Sequence, residues 1–552
     1  MVLTQISVVK AQQWDLLKSF PMDSNYHGRS ALDMDGNIYS VGYFSNAISF
    51  DTCTQYSNGM HDIYFAKLNN MGVPIFVKSI GNALENDSYN VAIDKDKNII
   101  ILGSFLDTLL IGSTTLVSRG GTDKFIAKYD SSGNFIWAKK CGSIDDDGGG
   151  LFERLVLDTL GNIYLGFSFG GNLVPQTSKD TFFYEQMFVV SFGKGDYLLA
   201  KISPDGNPIW LKNIGTKSDD FGGRISIDQY GNVYGEFLAG THKIYFENDS
   251  LILPFQTNVN MVVKYDSNGQ LIWINHCYIS AGFGSLFLAD ISTDNIGNTY
   301  VLGQLNQADQ IKFGNVTMDA DFYSPIFVVK LDKYGEAKWI KRGVGLGGQI
   351  HSGCIVVDSS NKIYVTGTGA HSTTFGTDTI YTANGGNGFH IFIWQCDTNG
   401  IEQQLYSVGE ASESPTGFSK SPDGSTILIN GNASNTTLNF GNLSETYGNN
   451  QIYLYLARLS PGYPTQLPTV DRQDNIVVYP NPCNSYATIS LPDNNSSKEI
   501  IVTDNAGKQM YRLKTKKNQT TIPVMFWKEG VYLILIHQGN KMISKKMIIK
   551  HA

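Results

Sequence analysis

Acidic residues beside glycine-rich stretches are the first residues in this chain whose types and spacing could do chemistry. One run occupies 145–147, directly before three glycines, and a second occupies 219–220. Carboxylate oxygens are the ligands that Ca²⁺ prefers, so the two runs could form a calcium site if the fold brings them together. Aspartate and glycine also favour turns, and the alternative is a set of acids that only form turns. The candidate metal ligands are Asp145, Asp146, Asp147, Asp219 and Asp220.

A concentration of aromatic residues is the second candidate. The segment 174–195 is longer than its counterparts elsewhere in the chain and carries more aromatic side chains than a polar loop needs. Such a cluster could form a platform for a ligand or a sugar ring, and the alternative is an extra hairpin that packs on the fold. The candidate ligand-binding residues are Phe182, Phe183, Tyr184 and Phe188.

The motifs of common catalytic sites are absent from the sequence. It contains no GxSxG, no HExxH and no phosphate-binding loop, and its nine histidines are scattered without metal-ligand spacing. We therefore name no catalytic residue and favour a binding protein over an enzyme. Apart from calcium, we expect no cofactor.

Internal repeats indicate the elements that must position these residues. One phrase, consisting of an apolar triplet, an acid, a turn that usually ends in Gly-Asn, an apolar pair and a glycine, occurs seven times. The acid position of the seven copies is occupied by Asp33, Asp94, Asp158, Asp228, Asp294, Asp358 and Ser421. A second phrase, an apolar strand that usually ends in lysine, and a third, a strand usually built on tryptophan, follow each acid phrase, except that the seventh unit lacks its third phrase.

The missing third phrase lies at the other end of the chain, because 12–20 around Trp14 has the form of 134–142 around Trp137. Each unit then contains four strands, which we call a, b, c and d in chain order. Joining the first and last segments in one unit removes exposed sheet edges. The sequence therefore predicts an all-β, seven-bladed β-propeller closed by an N-terminal strand.

The repeats resemble the propeller-forming SBBP family, whose units read roughly as Asp-x-x-Gly-Asn-x-Tyr-x-x-Gly followed by Asp-x-Phe-x-x-Lys. The resemblance extends over about 12–460, and the segment 120–142 matches the second part of the pattern well. The sixth and seventh units match poorly, with Gln395 in place of the lysine. The resemblance implies a fold, since propellers include both enzymes and binding proteins.

Strand direction assigns the connections to two faces. The tight a–b and c–d turns lie on one face, which we call the turn face, and the b–c segments and d-to-a crossings lie on the other, which we call the loop face. Long, variable loops on a rigid frame usually carry function, so we predict the binding surface on the loop face. The phenylalanine-glycine-like steps of several b–c segments predict structural hairpins, and the d-strand tryptophans predict packing between units.

The pattern changes after the propeller. Pro461, Pro464 and Pro468 exclude regular structure, so 461–475 is predicted to be a linker before a small β-sandwich at 476–552. At the other end, 1–11 has the form of the remnant of a signal peptide, and a disordered tail is the alternative.

The last 77 residues resemble the type A C-terminal sorting domain of the type IX secretion system of the Bacteroidota. Their motifs are a Tyr-Pro-Asn-Pro opening, an Asp-x-x-Gly-Lys turn, a late Gly-Val-Tyr strand and a basic terminus. The residues that carry them are Tyr479, Pro480, Asn481, Pro482, Asp504, Gly507, Lys508, Gly530, Val531, Tyr532 and Lys550. The resemblance implies the translocon and sortase of that system as partners, and a secreted or cell-surface location.

Charge and hydropathy restrict the classes of function that the protein could have. The net charge is −8 and no basic stripe precedes the last 60 residues, which argues against a nucleic-acid partner. The sequence contains no run of 18 or more apolar residues, so it predicts no transmembrane helix. We therefore predict a surface propeller that binds an extracellular glycan or protein. An extracellular polysaccharide hydrolase or lyase and a structural or adhesive protein are the alternatives.

Overall fold

The computed structural model describes most of the chain. The described residues are 13–22, 28–147, 153–170, 179–247, 249–253, 259–319, 325–346, 350–381, 389–411, 415–434, 437–448, 451–460, 477–481, 483–491, 498–504, 509–538 and 541–551. All regular secondary structure in these ranges is β-strand. The strands from Gln13 to Ser460 form one structural unit, and those beyond 461 belong to another.

The described residues of the first region form 40 strands. The first 13 are β1 (Gln13–Met22), β2 (Arg29–Leu32), β3 (Ile38–Phe44), β4 (Ala47–Phe50), β5 (Cys53–Tyr56), β6 (Asp62–Leu68), β7 (Pro74–Ile80), β8 (Asn86–Ile93), β9 (Ile99–Phe105), β10 (Thr108–Ile111), β11 (Thr114–Val117), β12 (Asp123–Tyr129) and β13 (Phe135–Gly142). The next 12 are β14 (Arg154–Leu157), β15 (Ile163–Phe169), β16 (Thr181–Tyr184), β17 (Met187–Val190), β18 (Asp196–Ile202), β19 (Pro208–Gly215), β20 (Phe221–Ile227), β21 (Val233–Ala239), β22 (Lys243–Phe246), β23 (Asp249–Ile252), β24 (Val259–Tyr265) and β25 (Leu271–Thr293). The last 15 are β26 (Thr299–Phe313), β27 (Val316–Asp319), β28 (Ile326–Leu331), β29 (Ala337–Leu346), β30 (Ile350–Val357), β31 (Ile363–Ala370), β32 (Ser372–Phe375), β33 (Asp378–Tyr381), β34 (Phe389–Cys396), β35 (Glu402–Ala411), β36 (Pro415–Lys420), β37 (Ile427–Ala433), β38 (Thr437–Phe440), β39 (Leu443–Thr446) and β40 (Ile452–Ser460).

These strands form antiparallel sheets whose order follows the sequence repeats. The first unit has the order β2-β3-β6-β7, and the second begins β8-β9-β12-β13. The a strands are β2, β8, β14, β20, the second half of β25, β30 and β36, and successive a strands are in contact, as are β36 and β2. Many four- to six-stranded antiparallel sheets arranged in this way are consistent with a propeller.

The N-terminal strand pairs with the last strand of this region. β1 runs antiparallel to β40 from Gln13 opposite Ser460 to Met22 opposite Ile452. Its sheet therefore has the order β1-β40-β37-β36. Phe20 and Met22 are buried in this pairing.

The repeated acid builds the a–b turn. In the fourth unit, Asp228 Oδ1 accepts hydrogen bonds from the backbone N–H groups of Tyr230 and Asn232, at 2.9 and 3.0 Å. Its Oδ2 accepts from the Asn232 amide at 2.7 Å and from the Tyr234 hydroxyl at 2.9 Å. Gly231 takes a φ of 76°, which favours glycine. The Asp-x-x-Gly-Asn-x-Tyr phrase is thus one hydrogen-bonded turn.

The lysines and tryptophans connect neighbouring units at the turn face. Lys201 Nζ and Trp210 Nε1 both donate to the carbonyl oxygen of Ser267, in the c–d turn of the following unit, at 2.9 and 3.3 Å. A Cβ added to Gly269 in that turn would lie 3.0 Å from the Trp210 ring, so the turn packs directly on the indole. The prediction that the tryptophans pack between units is confirmed.

The b–c segments form hairpins, also as predicted. Phe50-Asp51 and Phe375-Gly376 lie at such turns, with positive φ at Asp51 and Gly376. Several of these hairpins pair with the d strand of the preceding unit, as β16 does with β13, β22 with β19 and β32 with β29. The hairpins therefore extend neighbouring sheets.

The C-terminal region contains two small antiparallel sheets. Its strands are β41 (Val477–Tyr479), β42 (Tyr486–Ser490), β43 (Lys498–Thr503), β44 (Gln509–Thr515), β45 (Gln519–Pro523), β46 (Gly530–Gln538) and β47 (Lys541–Ile549). The sheets have the orders β41-β42-β45 and β44-β43-β46-β47. Ile489 and Ile522 from one sheet and Ile500 and Ile534 from the other share one buried core. This arrangement is a β-sandwich.

Candidate functional site

The acidic run 145–147 forms hydrogen bonds within the d-to-a crossing between the second and third units. Asp147 is buried, and its carboxylate accepts hydrogen bonds from the Ser143 N–H and hydroxyl and from the Gly170 N–H, at 2.5, 3.0 and 3.2 Å. Burial raises the pKa of Asp147 to about 8. Asp146 accepts from the Thr122 N–H at 2.9 Å, and Asp145 is buried.

The second run has the same local role. Asp220 is buried and accepts hydrogen bonds from the Thr216 N–H and hydroxyl and from the Gly240 N–H, at 2.5, 3.0 and 2.8 Å. Burial raises the pKa of Asp220 to about 7. Asp219 lies 3.6 Å from Lys194 Nζ. Across the described part of the chain, no group of three acidic, histidine or cysteine side chains is placed to hold a metal ion. The calcium site remains a prediction that this geometry does not favour.

The aromatic candidates belong to the hairpin β16–β17. Phe182 and Tyr184 are buried in the core, and the Tyr184 hydroxyl donates to the carbonyl oxygen of Gly206 at 2.9 Å. Phe183 and Phe188 lie 5.8 Å apart between ring centroids, and Phe188 is 59% exposed. The Arg119 guanidinium lies 4.2 Å from the Phe183 ring centroid. The four side chains thus point to two sides of the hairpin, and packing accounts for Phe182 and Tyr184. Residues 174–178 of this segment lie outside the described residues.

A cavity of about 540 Å³ lies among the a strands. It reaches exposed residues of the a–b turns, including Met34 and Thr159, so it opens towards the turn face. We predicted the binding surface on the opposite, loop face, and the described cavity lies elsewhere.

Two positions that recur on the a strands lie at or beside the cavity, whose wall also includes residues between them, such as Leu155 and Ile225. The residue two positions before the turn acid is alanine, serine or valine in every unit: Ala31, Ala92, Val156, Ser226, Ser292, Val356 and Ser419. Small side chains leave space near the axis. Two residues earlier on each strand, four before the turn acid, lies a position that we call the inner ring. It is occupied by Arg29, Asn90, Arg154, Arg224, Asp290, Cys354 and Gly417.

The inner ring contains three arginines and one carboxylate. Arg154 Nη2 lies 2.7 Å from Asp290 Oδ1, and Arg224 Nη1 lies 3.7 Å from the same oxygen. Asp290 Oδ2 accepts a hydrogen bond from the Ile355 N–H at 3.0 Å. Burial alone would raise the pKa of Asp290, but the guanidiniums of Arg154, Arg224 and Arg29 outweigh it and lower that pKa below its ordinary value. Asp290 is therefore an anion at neutral pH.

Among the residues that the structure describes, positive charge is in excess at the inner ring. Glu236, on β21, is fully buried, and burial raises its pKa to about 8 although Arg224 opposes the shift. Glu153 is paired with Lys124. Burial and the nearby charge of Arg154 lower the pKa of Arg29 to about 10, so Arg29 remains charged at neutral pH. Three guanidiniums thus face one ionised carboxylate and one glutamic acid that is largely protonated.

Sequence reasoning missed the inner ring, although a signal was present. In three units the a strand reads Arg-Ser-Ala-Leu-Asp, Arg-Leu-Val-Leu-Asp and Arg-Ile-Ser-Ile-Asp, with arginine four residues before the turn acid. A charged residue at the start of an otherwise apolar inner strand is unusual, because burying a charge is costly. Alignment of the a strands by their turn acids would have identified it.

The sorting residues lie in the C-terminal sandwich. Asn481 Oδ1 accepts a hydrogen bond from the Ile548 N–H at 2.7 Å, which joins the opening motif to β47. Tyr532 is buried and its hydroxyl donates to the carbonyl oxygen of Lys528 at 2.8 Å. Tyr479, Pro480, Val531 and Lys550 are exposed, whereas Asp504 ends the described part of the Asp-x-x-Gly-Lys turn and Gly530 begins β46. Pro482, Gly507 and Lys508 lie outside the described residues.

The family comparison concerns this sandwich. Residues 477–550 match the family described as the secretion system C-terminal sorting domain. The chain is therefore exported by the type IX secretion system and is located at the cell surface or outside the cell. In the part of the chain that the structure describes, no helix is long and apolar enough to cross a membrane.

Two curated proteins are similar to part of the chain. An uncharacterised WD repeat-containing protein of Acanthamoeba polyphaga mimivirus is 22% identical over 333 residues, which are 50% of this chain and 24% of the relative. The regulatory protein FlaEY of Caulobacter vibrioides is 22% identical over 251 residues, which are 43% of this chain and 25% of the relative. The matches thus span about a quarter of the length of these relatives.

Similar solved structures include PorZ, described as an essential bacterial surface component of the type-IX secretion system of Porphyromonas gingivalis. It is 10% identical, with 97% of this chain and 100% of PorZ covered and a TM-score of 0.18. A protein of unknown function from Dyadobacter fermentans is 10% identical, with 81% and 99% covered and a TM-score of 0.37. Both TM-scores are low, so these likenesses carry no argument about fold or function.

Proposed function

We propose that this chain is a surface-displayed, seven-bladed β-propeller that binds an extracellular ligand, a glycan or a segment of a protein, in its central cavity. The observation that carries the proposal is the cavity of about 540 Å³, with small side chains in its walls and a charged inner ring at its deep end. Pockets for small ligands usually have volumes of about 300–1,000 Å³ and a few converging polar groups. A glycan fits the proposed location outside the cell.

The seven-bladed, closed architecture is supported by two observations. The a strands contact one another in sequence, and the last of them contacts the first. β1 supplies a d strand to the sheet of β36, β37 and β40. We propose propeller boundaries at 12–460 and SBBP-type repeats for this region.

The remaining domain boundaries follow from the proposed organisation of an exported protein. We propose that 461–475 is a linker, that 476–552 is the sorting domain and that 1–11 is the remnant of an export signal. The translocon would read the sandwich, and a sortase of the same system would cleave in the linker. The match to the sorting-domain family over 477–550 supports this organisation.

Deletion of 476–552 tests the route. The truncated chain should accumulate in the periplasm of a bacterium that has a type IX system, whereas the complete chain should be accessible to surface proteolysis. Normal surface display of the truncated chain would exclude the sorting role.

A permuted chain tests closure. Removal of β1 takes away the buried side chains of Leu16, Phe20 and Met22, each worth about 1.5–3 kcal/mol, a loss comparable with the stability of many domains. Because Gln13 lies opposite Ser460, an Asn-Gly turn could join 13–22 directly after Ser460. If β1 closes the ring, the permuted chain should recover cooperative unfolding at nearly the original temperature, and a scrambled 13–22 segment at the same place should not. Equal melting of the deleted, scrambled and complete chains would contradict closure.

A glycan array with the complete chain tests ligand binding. Ala92 and Ser226 belong to the small layer of the cavity wall, and Ala92→Phe and Ser226→Phe would fill the space that the ligand needs. The expected result is a set of bound glycans whose signal these variants abolish, while the exposed substitution Thr159→Phe, at the rim, weakens it less. Binding that is unaffected by both wall variants would place the ligand elsewhere.

The enzymatic alternative receives less support. Among the described lining residues the carboxylates are Asp94 and Asp158, and both accept the hydrogen bonds of their own a–b turns. Two carboxylates with free oxygens across a cavity are the usual requirement for glycoside hydrolysis.

A further inference from the structure

We propose that the inner ring is an oxyanion site, and that the ligand of the cavity is an acidic saccharide whose carboxylate or sulfate group contacts Arg29 and Arg154. This inference rests on the proposed binding function and specifies the chemistry of the ligand. It follows from the charges, donor atoms and dimensions of the cavity.

Among the described residues, the three guanidiniums of the inner ring lie near one ionised carboxylate, that of Asp290. Arg29, Arg154 and Arg224 are all largely buried. The exposed fraction is 8% for Arg29, 13% for the Arg154 side chain and 10% for the Arg224 side chain. Asp290 is the one acidic residue of the ring. A buried charge without a partner is strongly unfavourable, and an anion bound between the guanidiniums would offset that cost.

The available donors suit a flat or tetrahedral oxyanion. Arg154 uses Nη2 to contact Asp290, and its Nε is buried without a hydrogen-bond partner among the described residues. Arg29, Asn90 and Arg154 line the inner end of the cavity. A guanidinium presents two parallel N–H groups to a carboxylate, sulfate or phosphate, and an amide adds a further donor.

The cavity, at about 540 Å³, has room for a ligand larger than the anion itself. Between the inner ring and the turn face, the wall is formed by the small layer, and the cavity ends at exposed residues such as Met34 and Lys95. An inorganic anion would occupy only the inner end. A saccharide with one acidic group would place that group at the arginines and the sugar rings in the wider part.

The experiment uses the complete chain and matched probes. D-Glucuronate and D-glucose differ in one carboxylate, and sodium sulfate supplies the oxyanion without a sugar. The melting temperature and the dissociation constant by calorimetry are measured with each probe at constant ionic strength. We expect glucuronate, sulfate or both to bind and raise the melting temperature, and glucose to bind at least about tenfold more weakly, because a charge-assisted contact is lost.

Three variants assign the effect to the inner ring. Arg29→Gln should weaken binding of the anionic probes by about 10- to 100-fold, and Arg29→Lys should weaken it less, because the charge remains but the fork is lost. Arg342→Gln, on β29 at the periphery, is the matched control and should leave affinity unchanged. Circular dichroism of each variant establishes that it is folded.

Each outcome decides the question. Sulfate binding without glucuronate binding supports the oxyanion site and identifies sulfate as the preferred group, and the reverse identifies carboxylate. Equal binding of glucose and glucuronate, unaffected by Arg29→Gln, overturns the oxyanion site while the binding function survives. If neither anionic probe binds but a neutral glycan on the array does, the oxyanion site is overturned and the proposed binding function is retained. If no probe and no glycan binds, the inference and the proposed function fail together.

Discussion

Two positions on the same inner strands, four residues apart, behave in opposite ways across the repeats. At the a–b turn, six units have aspartate and the seventh has serine. At the inner ring, the seven residues are of five types, from arginine to glycine. Both positions are largely buried and are polar in most units, yet one is nearly uniform and the other is varied.

The uniform position is explained by local structure. Each turn needs the same acceptor for the same two backbone N–H groups, and Asp33, Asp158 and Asp294 form these bonds as Asp228 does. The inner ring has no such repeated task, because there Arg154 and Arg224 from two units contact Asp290 from a third. We therefore interpret the uniform turn acid as a structural requirement of each unit. We interpret the varied inner ring as a site to which several units contribute.

The largest expected effect concerns the uniform position. Asp228→Ala removes the acceptor of four hydrogen bonds, and we expect the free energy of unfolding to fall by about 2–4 kcal/mol. Urea unfolding measures the change. Asp228→Ser, which copies the seventh unit, should cost less, and Asp205→Ala, at an exposed c–d turn residue, should change stability little. A loss at Asp205 equal to that at Asp228 would contradict the structural interpretation.

A pH dependence should arise from the buried acids away from the turns. Burial raises the pKa of Asp147 and Glu236 to about 8 in the folded chain. Such groups bind their protons more tightly when folded, so their contribution to stability is greatest at low pH and is lost as the pH rises towards 8. We expect the free energy of unfolding to fall by on the order of 2 kcal/mol for each of the two groups between pH 6.5 and 8.5.

Asp147→Asn supplies the control for this dependence. Asn86 occupies the corresponding place in the crossing after the first unit, so the substitution copies a residue that the fold already uses. The variant should show a shallower decline of melting temperature with pH. An identical decline would show that Asp147 does not titrate in this range.

A smaller effect is expected between units. Lys201→Met keeps the apolar stem beside Tyr164 and removes the hydrogen bond to the Ser267 carbonyl oxygen, at a cost of about 1 kcal/mol. Thermal unfolding should detect it, and Lys179→Met, at an exposed residue, is the matched control. If both substitutions act alike, the contact between units contributes nothing measurable.

The uniform position was recognised from the sequence, whereas the inner ring was overlooked and its contacts required the structure. The Asp-x-x-Gly-Asn-x-Tyr phrase is local, so its strand, turn and strand follow from the sequence, and the hairpins at Phe50 and Phe375 follow in the same way. The contact of Arg154 with Asp290 joins residues 136 apart in two different units, and only the three-dimensional arrangement of the strands brings them together. The candidate acids and aromatics were selected because several of them lie close together in the sequence. In the structure they belong to two d-to-a crossings and to one hairpin.

The smallest expected effect on stability is at the inner ring. This prediction tests the difference between the inner ring and the turn acids directly. Arg29→Gln removes one of three buried guanidiniums and leaves Asp290 with Arg154 and Arg224. Because the remaining charges are then closer to balance, we expect the unliganded chain to keep its stability within about 1 kcal/mol or to gain slightly, although the same substitution is expected to weaken anion binding by about 10- to 100-fold. Urea unfolding without added anions measures this. A loss as large as that of Asp228→Ala would mean that Arg29 is a structural residue like the turn acids, and the distinction between the two positions would not hold.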